Sequence, residues 1–226
     1  MPGKPWTSLA LSTGVSAVLL LVVGCGDDGG QSQGIRGSGV PASESRQVAA
    51  FTSVDLLGAA DVTITIGAEQ SVTVETDDDL ISRVQTNVER DTLRIENDGR
   101  LDTDLGIDVA IVVPTLEAVT LSGAGDVTIE GLSGSSLDIA LNGAGSVEAA
   151  GAVEQLDVAI NGAGTAGLAN LAARDVDVVV NGTGAADVQA IQSLSATVNG
   201  VGTITYTGNP KHVDTSTPGV GSIRKG

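Results

Sequence analysis

Leu137-Asp138-Ile139-Ala140-Leu141-Asn142-Gly143-Ala144-Gly145-Ser146-Val147 returns nineteen residues later as Leu156-Asp157-Val158-Ala159-Ile160-Asn161-Gly162-Ala163-Gly164-Thr165-Ala166. The Gly-x-Gly element begins at Gly123, Gly143, Gly162, Gly182, Gly200 and Gly219, with successive spacings of 20, 19, 20, 18 and 19 residues. A period of this length is the mark of solenoid coils, each too small to bury its own apolar face. Asn142, Asn161, Asn181 and Asn199 stand directly before the four central elements, whereas Ser122 and Pro218 take that place at the ends. Terminal coils have a solvent-facing side that inner coils lack, so different residues are expected there.

Aligned on the first glycine, the copies show apolar columns. Leu137, Leu156, Val176, Leu194 and Val213 lie six residues before it; Val119, Ile139, Val158, Val178 and Ala196 lie four before; Leu121, Leu141, Ile160, Val180 and Val198 lie two before. Polar or small residues alternate with them, the period of a strand with one buried face. After the corner, Val127, Val147, Ala166, Ala186, Ile204 and Ile223 form a further column. Each coil therefore reads as strand, corner, strand and a looser turn, stacked about 4.8 Å from the next. The fold class this predicts is all-β: a right-handed parallel β-helix or closely related stacked β-solenoid with a period of about 19–20 residues. Glycine at the corner is expected to supply backbone angles closed to other residues, and the Asn column to form an amide ladder.

Residues 46–114 lack this period but alternate like strands at Val54–Leu56, Val62–Ile66, Val72–Val74, Leu93–Ile95 and Val109–Val113. Gly67 and Asn97-Asp98-Gly99 read as turns, and Asp77–Ile81 as the start of one helical turn. The segment reads as the first, less regular coils of a domain spanning 46–226, whose regular part is 115–226.

Residues 1–24 have the layout of an export signal, with Lys4 ahead of an apolar stretch from Leu9 to Val23. Serines, a threonine and a glycine dilute that stretch, which is too short for the roughly 20 apolar residues of a spanning helix. Leu21-Val22-Val23-Gly24-Cys25 resembles a bacterial lipobox, which implies acylation of Cys25, the only cysteine. Several acyl chains on one residue hold a protein on a bilayer far better than a single chain. Residues 25–45, rich in Gly, Ser and Asp, read as a flexible tether. The expected location is the cell envelope, with the membrane as a partner through the lipid anchor.

A formal charge of -17 argues against nucleic acid, whose binding needs a basic stripe that displaces counterions. With one cysteine there is no intrachain disulfide and no thiolate metal cluster. Trp6, Phe51 and Tyr206 are the only aromatics, so the core must be built from Val, Ile, Leu and Ala, which suits thin regular layers.

Gly37-Ser38-Gly39, Arg46, Phe51, Val54, Asp61-Val62-Thr63-Ile64 and the later Asn-Gly-x-Gly repeats together resemble the head GIN domain family of bacterial envelope proteins, often described as auto-transporter adhesins. The resemblance runs from about Gly37 to Gly226. It implies a β-helical stack at the cell envelope and carries no catalytic residues across.

For chemistry, the only histidine is His212, so a nucleophile-His pair has one candidate base, read as a surface residue. No Lys-Ser or Lys-Thr follows a Gly-x-Gly corner, so phosphate cradling is disfavoured. Asp138, Asp157 and Asp177 share the position five residues before the corner glycine, with Ser195 interrupting before Asp214. On stacked coils these outward carboxylates lie near one another, a row that raises their proton affinity or holds Ca²⁺ weakly; no other cofactor is expected. The leading expectation is a non-enzymatic surface module for adhesion, scaffolding or ligand binding, with an envelope protein or a glycan as partner. The alternative is an envelope glycan-acting enzyme using acidic residues of adjoining coils.

Overall fold

The computed structural model describes residues 34–226; the leader, Cys25 and tether residues 26–33 lie outside them. In chain order the first strands are β1 (Ile35–Arg36), β2 (Pro41–Ser45), β3 (Ser53–Leu56), β4 (Asp61–Ile66), β5 (Ser71–Asp77), β6 (Val84–Glu89), β7 (Thr92–Asn97), β8 (Leu101–Asp102) and β9 (Asp108–Val113). Then follow β10 (Ala118–Leu121), β11 (Asp126–Leu141), β12 (Ser146–Ile160), β13 (Thr165–Val180), β14 (Ala185–Val198), β15 (Thr203–Thr207), β16 (His212–Ser216) and β17 (Ser222–Lys225). A single 3₁₀ turn, Ile81–Arg83, falls just after the place expected for a helical start.

The fold is an all-β solenoid of about five turns. Each Gly-x-Gly corner carries the chain from one stack of parallel strands to a second. In the first stack Val119, Ile139, Val158, Val178 and Ala196 are successive lateral partners, one over another. In the second, Val62, Val127, Val147, Ala166, Ala186, Ile204 and Ile223 are. Both columns are buried up to Ala196 and Ile204, so the core is a continuous ribbon of aliphatic side chains between the stacks.

Unequal coil lengths are absorbed away from the corner. Between β11 and β12, Ile129 faces Ala149 twenty residues on, whereas Leu132 faces Gly151 only nineteen on, across a bulge. Similar register shifts interrupt the next two pairs. Strand pairing continues on both sides of these bends, the first of which holds Gly131 at positive φ, so the looser turn expected there is a bulged continuation of one long strand.

The corner glycines are required for a different reason from the one expected. None has a left-handed φ. Instead a Cβ on Gly143, Gly162, Gly182 or Gly200 would lie 1.9–2.0 Å from the carbonyl oxygen of the corner glycine one coil earlier. Close backbone approach, not backbone angle, excludes every other residue. The Asn column is a ladder: the Nδ2 of Asn161, Asn181 and Asn199 each donates to the Oδ1 of the Asn one coil earlier, at 2.8 Å.

The first half departs from simple coil order. β3 and β4 form a rung, but the rung beneath it is made later in sequence by β7 and β9, after which the chain returns over β3 and β4 as β10 and β11. Beyond β7 and β9 the stack ends in antiparallel strands: β6 on β7, β5 on β9 and β2 on β5. These cover the core end, where Phe51, Leu80 and Val84 are almost fully buried. β6 and β7 join through Arg90 and Asp91, both at positive φ, as a two-residue primed hairpin turn requires.

Residues Pro41–Ser45, read from composition as tether, are a strand of this cap. Behind them Asp77, buried beneath Gly37, accepts hydrogen bonds from the Gly39 amide and the Thr103 hydroxyl. The Thr103 bond comes first among the influences that hold its carboxyl below the usual range, against the opposing effect of burial. Ser38 adds bonds to Asp78 and Asp79. A strand paired through its backbone needs no apolar signature, which is why composition misplaced it.

Candidate functional site

On the outer surface of the first stack the side chains form a lattice fixed by strand register. Asp138, Asp157 and Asp177 occupy adjacent rungs of one column, followed by Ser195 and Asp214. Two residues earlier on each rung runs a second column of Ser136, Gln155, Asp175, Ser193 and His212. Two residues later runs a column of small side chains, Ala140, Ala159, Val179 and Thr197. The inward alternates anchor this lattice, because Leu156, Val158, Val176 and Val178 are buried directly behind it.

Side-chain bonds tie parts of the lattice. Gln155 Nε2 donates to Asp157 Oδ2 at 2.9 Å, and Ser193 Oγ donates to Asp175 Oδ1 at 2.5 Å. Arg174 donates to Gln192 and pairs with Glu154 at 3.3 Å and Asp175 at 3.8 Å. A groove of about 640 Å³ lies over the last rungs, lined among others by Asp157, Asp177, Ser193, Lys211, His212 and Asp214. A second, of about 430 Å³, shares Asp157 and Asp177 and runs over Ala140, Ala159 and Val179. The two form one shallow trough, polar on one side of the Asp column and apolar on the other.

Asp138 feels its neighbour on the next rung. Partial burial, then the charge of Asp157 and a hydrogen bond shared with it, push the Asp138 carboxyl above its ordinary value near 3.8. A carboxyl with a raised folded pKa adds stability below its unfolded pKa and loses it as pH rises through the folded value. Asp157→Asn is therefore expected to bring Asp138 back toward the ordinary range. Asp138→Asn should leave stability at neutral pH equal or slightly higher, with the variant's advantage over wild type shrinking in acid. Carboxyl-carbon NMR titration and urea melts at neutral and acid pH check both; a fall in stability at neutral pH would show that the Asp138 carboxylate is needed in its charged form.

Among the described residues no group of three or more His, Cys, Asp or Glu is arranged to hold a metal ion. The row is a line of carboxylates stacked one over another, with Asp175 beside Asp177 on the same rung. A second acidic ladder lies on the other stack, where Asp61, Asp108 and Asp126 occupy adjacent rungs. There burial first, then the charges of Asp61 and Glu75, raise the Asp108 carboxyl. The aligned repeats contain the Gln155–Asp175–Ser193–His212 column as plainly as the Asp column; mixed chemistry along it hides it from a search for repeated residues. Lys211 enters the groove from the turn before β16, in line with Gln192 one coil earlier, whose carbonyl oxygen accepts from the Lys211 amide.

Residues 50–210 match the family described as "Putative auto-transporter adhesin, head GIN domain". Among solved structures, a putative adhesin from Bacteroides fragilis is similar at 25% identity and TM-score 0.66, over 85% of this chain and 100% of that one. A putative adhesin from Parabacteroides distasonis aligns at 21% identity and TM-score 0.55, over 86% and 100% of the two chains. A putative lipid binding protein from the same organism aligns at 21% identity and TM-score 0.52, again over 86% and 100%. The last two likenesses show a shared fold. No curated protein matches the chain.

Proposed function

Because the chain belongs to the head GIN domain family of auto-transporter adhesin type, we propose that it is a non-enzymatic protein of the cell surface, held to a membrane by acylated Cys25 and presenting the outer lattice of its solenoid for adhesion, scaffolding or ligand binding. The observation that carries this reading is the register itself. Strand pairing repeats the same side-chain positions from rung to rung, giving an extended, rigid and shallow contact surface in place of a deep pocket. Such a surface gains affinity by adding weak contacts in series, and many copies on one membrane multiply them.

The trough along the Asp column is the part of that surface with both hydrogen-bonding groups and an apolar floor, the two features a glycan or an extended peptide presents. Binding of the purified chain to isolated envelopes and to immobilised polysaccharides tests the reading. Retention that weakens severalfold in Asp157→Ala/Asp177→Ala supports it. Release of reducing ends from any of those polysaccharides would replace it with the glycan-acting enzyme.

Anchoring has its own test. Cys25→Ala is expected to abolish incorporation of labelled palmitate and to move the protein from the membrane to the soluble fraction of fractionated cells. Two or more acyl chains at about 0.8 kcal/mol per buried CH₂ make the difference all-or-none on the time scale of fractionation. Membrane retention of the variant without label would refute lipidation at this residue.

A further inference from the structure

The two ends of the solenoid are finished differently. At the cap end the antiparallel strands bury Phe51, Leu80 and Val84. At the other end β16 pairs only with β14 and β17 only with β15, so among the described residues both carry an unpaired edge. All five residues of β16 are exposed. Val213 continues the inward column of Leu194 yet is 47% exposed, and Val220 at the final corner is 84% exposed.

Charge divides the ends as well. Lys211, Arg224 and Lys225 lie on the last rung with Asp214 as its one acid. In a chain of such acidity, none of the three is ion-paired among the described residues. Lys225 donates to the neutral Asn209. At the cap end Arg46 pairs with Glu44 at 3.1 Å, Arg83 with Asp98 at 3.4 Å and Arg94 with Glu89 at 3.5 Å, and Arg90 of the β6–β7 hairpin is a cation there with no ion pair among the described residues. Glu75, Asp78, Asp79 and Asp91 add to the acid there.

We propose that the last rung docks the cap end of a second copy of this chain, with β17 receiving β2 of the next molecule as an added strand. β2 pairs only with β5, leaving its outer edge open among the described residues. Its direction fits. β5 is antiparallel to β9, and β2 is antiparallel to β5, so β2 runs in the same sense as β9, β15 and β17. A copy stacked along the solenoid axis without reversal therefore sets β2 parallel to β17, as each pair of neighbouring strands from β9 to β17 in that stack is parallel. The same approach brings Glu44 and the cap acids toward Arg224, Lys225 and Lys211. Unpaired edges are otherwise open to indiscriminate pairing, and cations on one end with acids on the other restrict the pairing to unlike ends. Because the two surfaces differ, the contact repeats and builds a line of molecules, not a closed pair.

Sedimentation velocity on the exported full chain carrying Cys25→Ala, so that no acyl group contributes, tests the proposal over a roughly hundredfold range of concentration. The expected result is a series of species growing with concentration, weakened about tenfold or more between about 50 mM and about 500 mM NaCl. Lys211→Glu/Arg224→Glu/Lys225→Glu and, separately, Glu44→Lys/Glu89→Lys should each sediment as monomer with unchanged circular dichroism melts. Mixing the two variants should restore assembly, because each then offers the end the other lacks. A wild-type chain that stays monomeric throughout overturns the proposal. So does assembly that survives Glu44→Lys/Glu89→Lys and is lost only with the last-rung variant, because that result means like ends meet.

Discussion

Gly162→Ala is expected to leave no stably folded solenoid, although it adds a single methyl group. The new Cβ would lie 2.0 Å from the Gly143 oxygen and 2.7 Å from the Asn142 oxygen, both backbone atoms of the preceding rung. Neither can move aside. Gly143 oxygen already accepts from the Ala163 amide at 3.1 Å, and the Asn161 amide side chain is bonded to Asn142 at 2.8 Å. Relief requires prising two rungs apart, which breaks ladder hydrogen bonds and opens the ribbon core at its middle. A cost of about 4–5 kcal/mol or more is the exceptional class for one substitution, comparable with the whole stability of many domains. Gly134→Ala is the matched control: a Cβ there meets nothing within 4 Å and the backbone is not left-handed. It should change stability by no more than about 0.5–1 kcal/mol, with a gain from the stiffer unfolded chain the favoured sign. Urea denaturation of the two variants checks the pair, and equal midpoints would mean that rung spacing yields far more readily than the contact distances imply.

Leu141→Ala carries the next largest effect. Leu141 is fully buried between Leu121 and Ile160 in the inward column, and its Cδ2 also fills the space beside Gly164. Removing three carbons leaves a cavity that close-packed neighbours on two rungs close only in part, at a cost of about 2–5 kcal/mol. For a domain of this size that lowers the melting temperature by roughly 5–15 °C. Because each rung touches chiefly its neighbours, hydrogen exchange should quicken most between β10 and β12, with β6 and β7 less affected. Uniform acceleration across all rungs would show that the stack melts as one cooperative unit.

Much of the architecture was legible because neighbours in space are neighbours at a fixed distance in sequence. From β10 onward each rung is followed directly by the one that covers it, so aligning Gly143 with Gly162 also aligns Ile139 with Val158 and Asp138 with Asp157. The Asp row of the candidate site could be read in the same way. The raised proton affinity expected along that row is found at Asp138, where partial burial, which spacing does not reveal, comes ahead of the charge of Asp157. The groove could not be read that way, because a hollow depends on how side chains of several rungs pack, and spacing does not encode it.

The first corner shows where this reading stops. Gly58-Ala59-Ala60 turns the chain as Gly123-Ala124-Gly125 does, and Gly123 lies against the Gly58 oxygen. The two are 65 residues apart, and Ala60 stands where the later copies have glycine. No search at a period near nineteen finds that pair. The Arg90-Asp91 hairpin was hidden differently, since it adopts positive φ without the Asn-Gly or Asp-Gly residues that usually signal it. Asp77 reads from the sequence as the start of a helical turn, and only the fold brings Gly37, Gly39 and Thr103 around it.

By itself the sequence determined an all-β solenoid, its period, its inward and outward columns and the glycine corners, because each follows from side-chain alternation repeated at near-constant spacing. Tertiary structure alone decided the order of the early rungs, the antiparallel cap, the place of β2, the reason for the glycines and the contrast between the two ends. Those features depend on which distant backbone edges find each other. Backbone hydrogen bonds are the same for every residue type, so the pairing of remote edges leaves no periodic trace in the sequence.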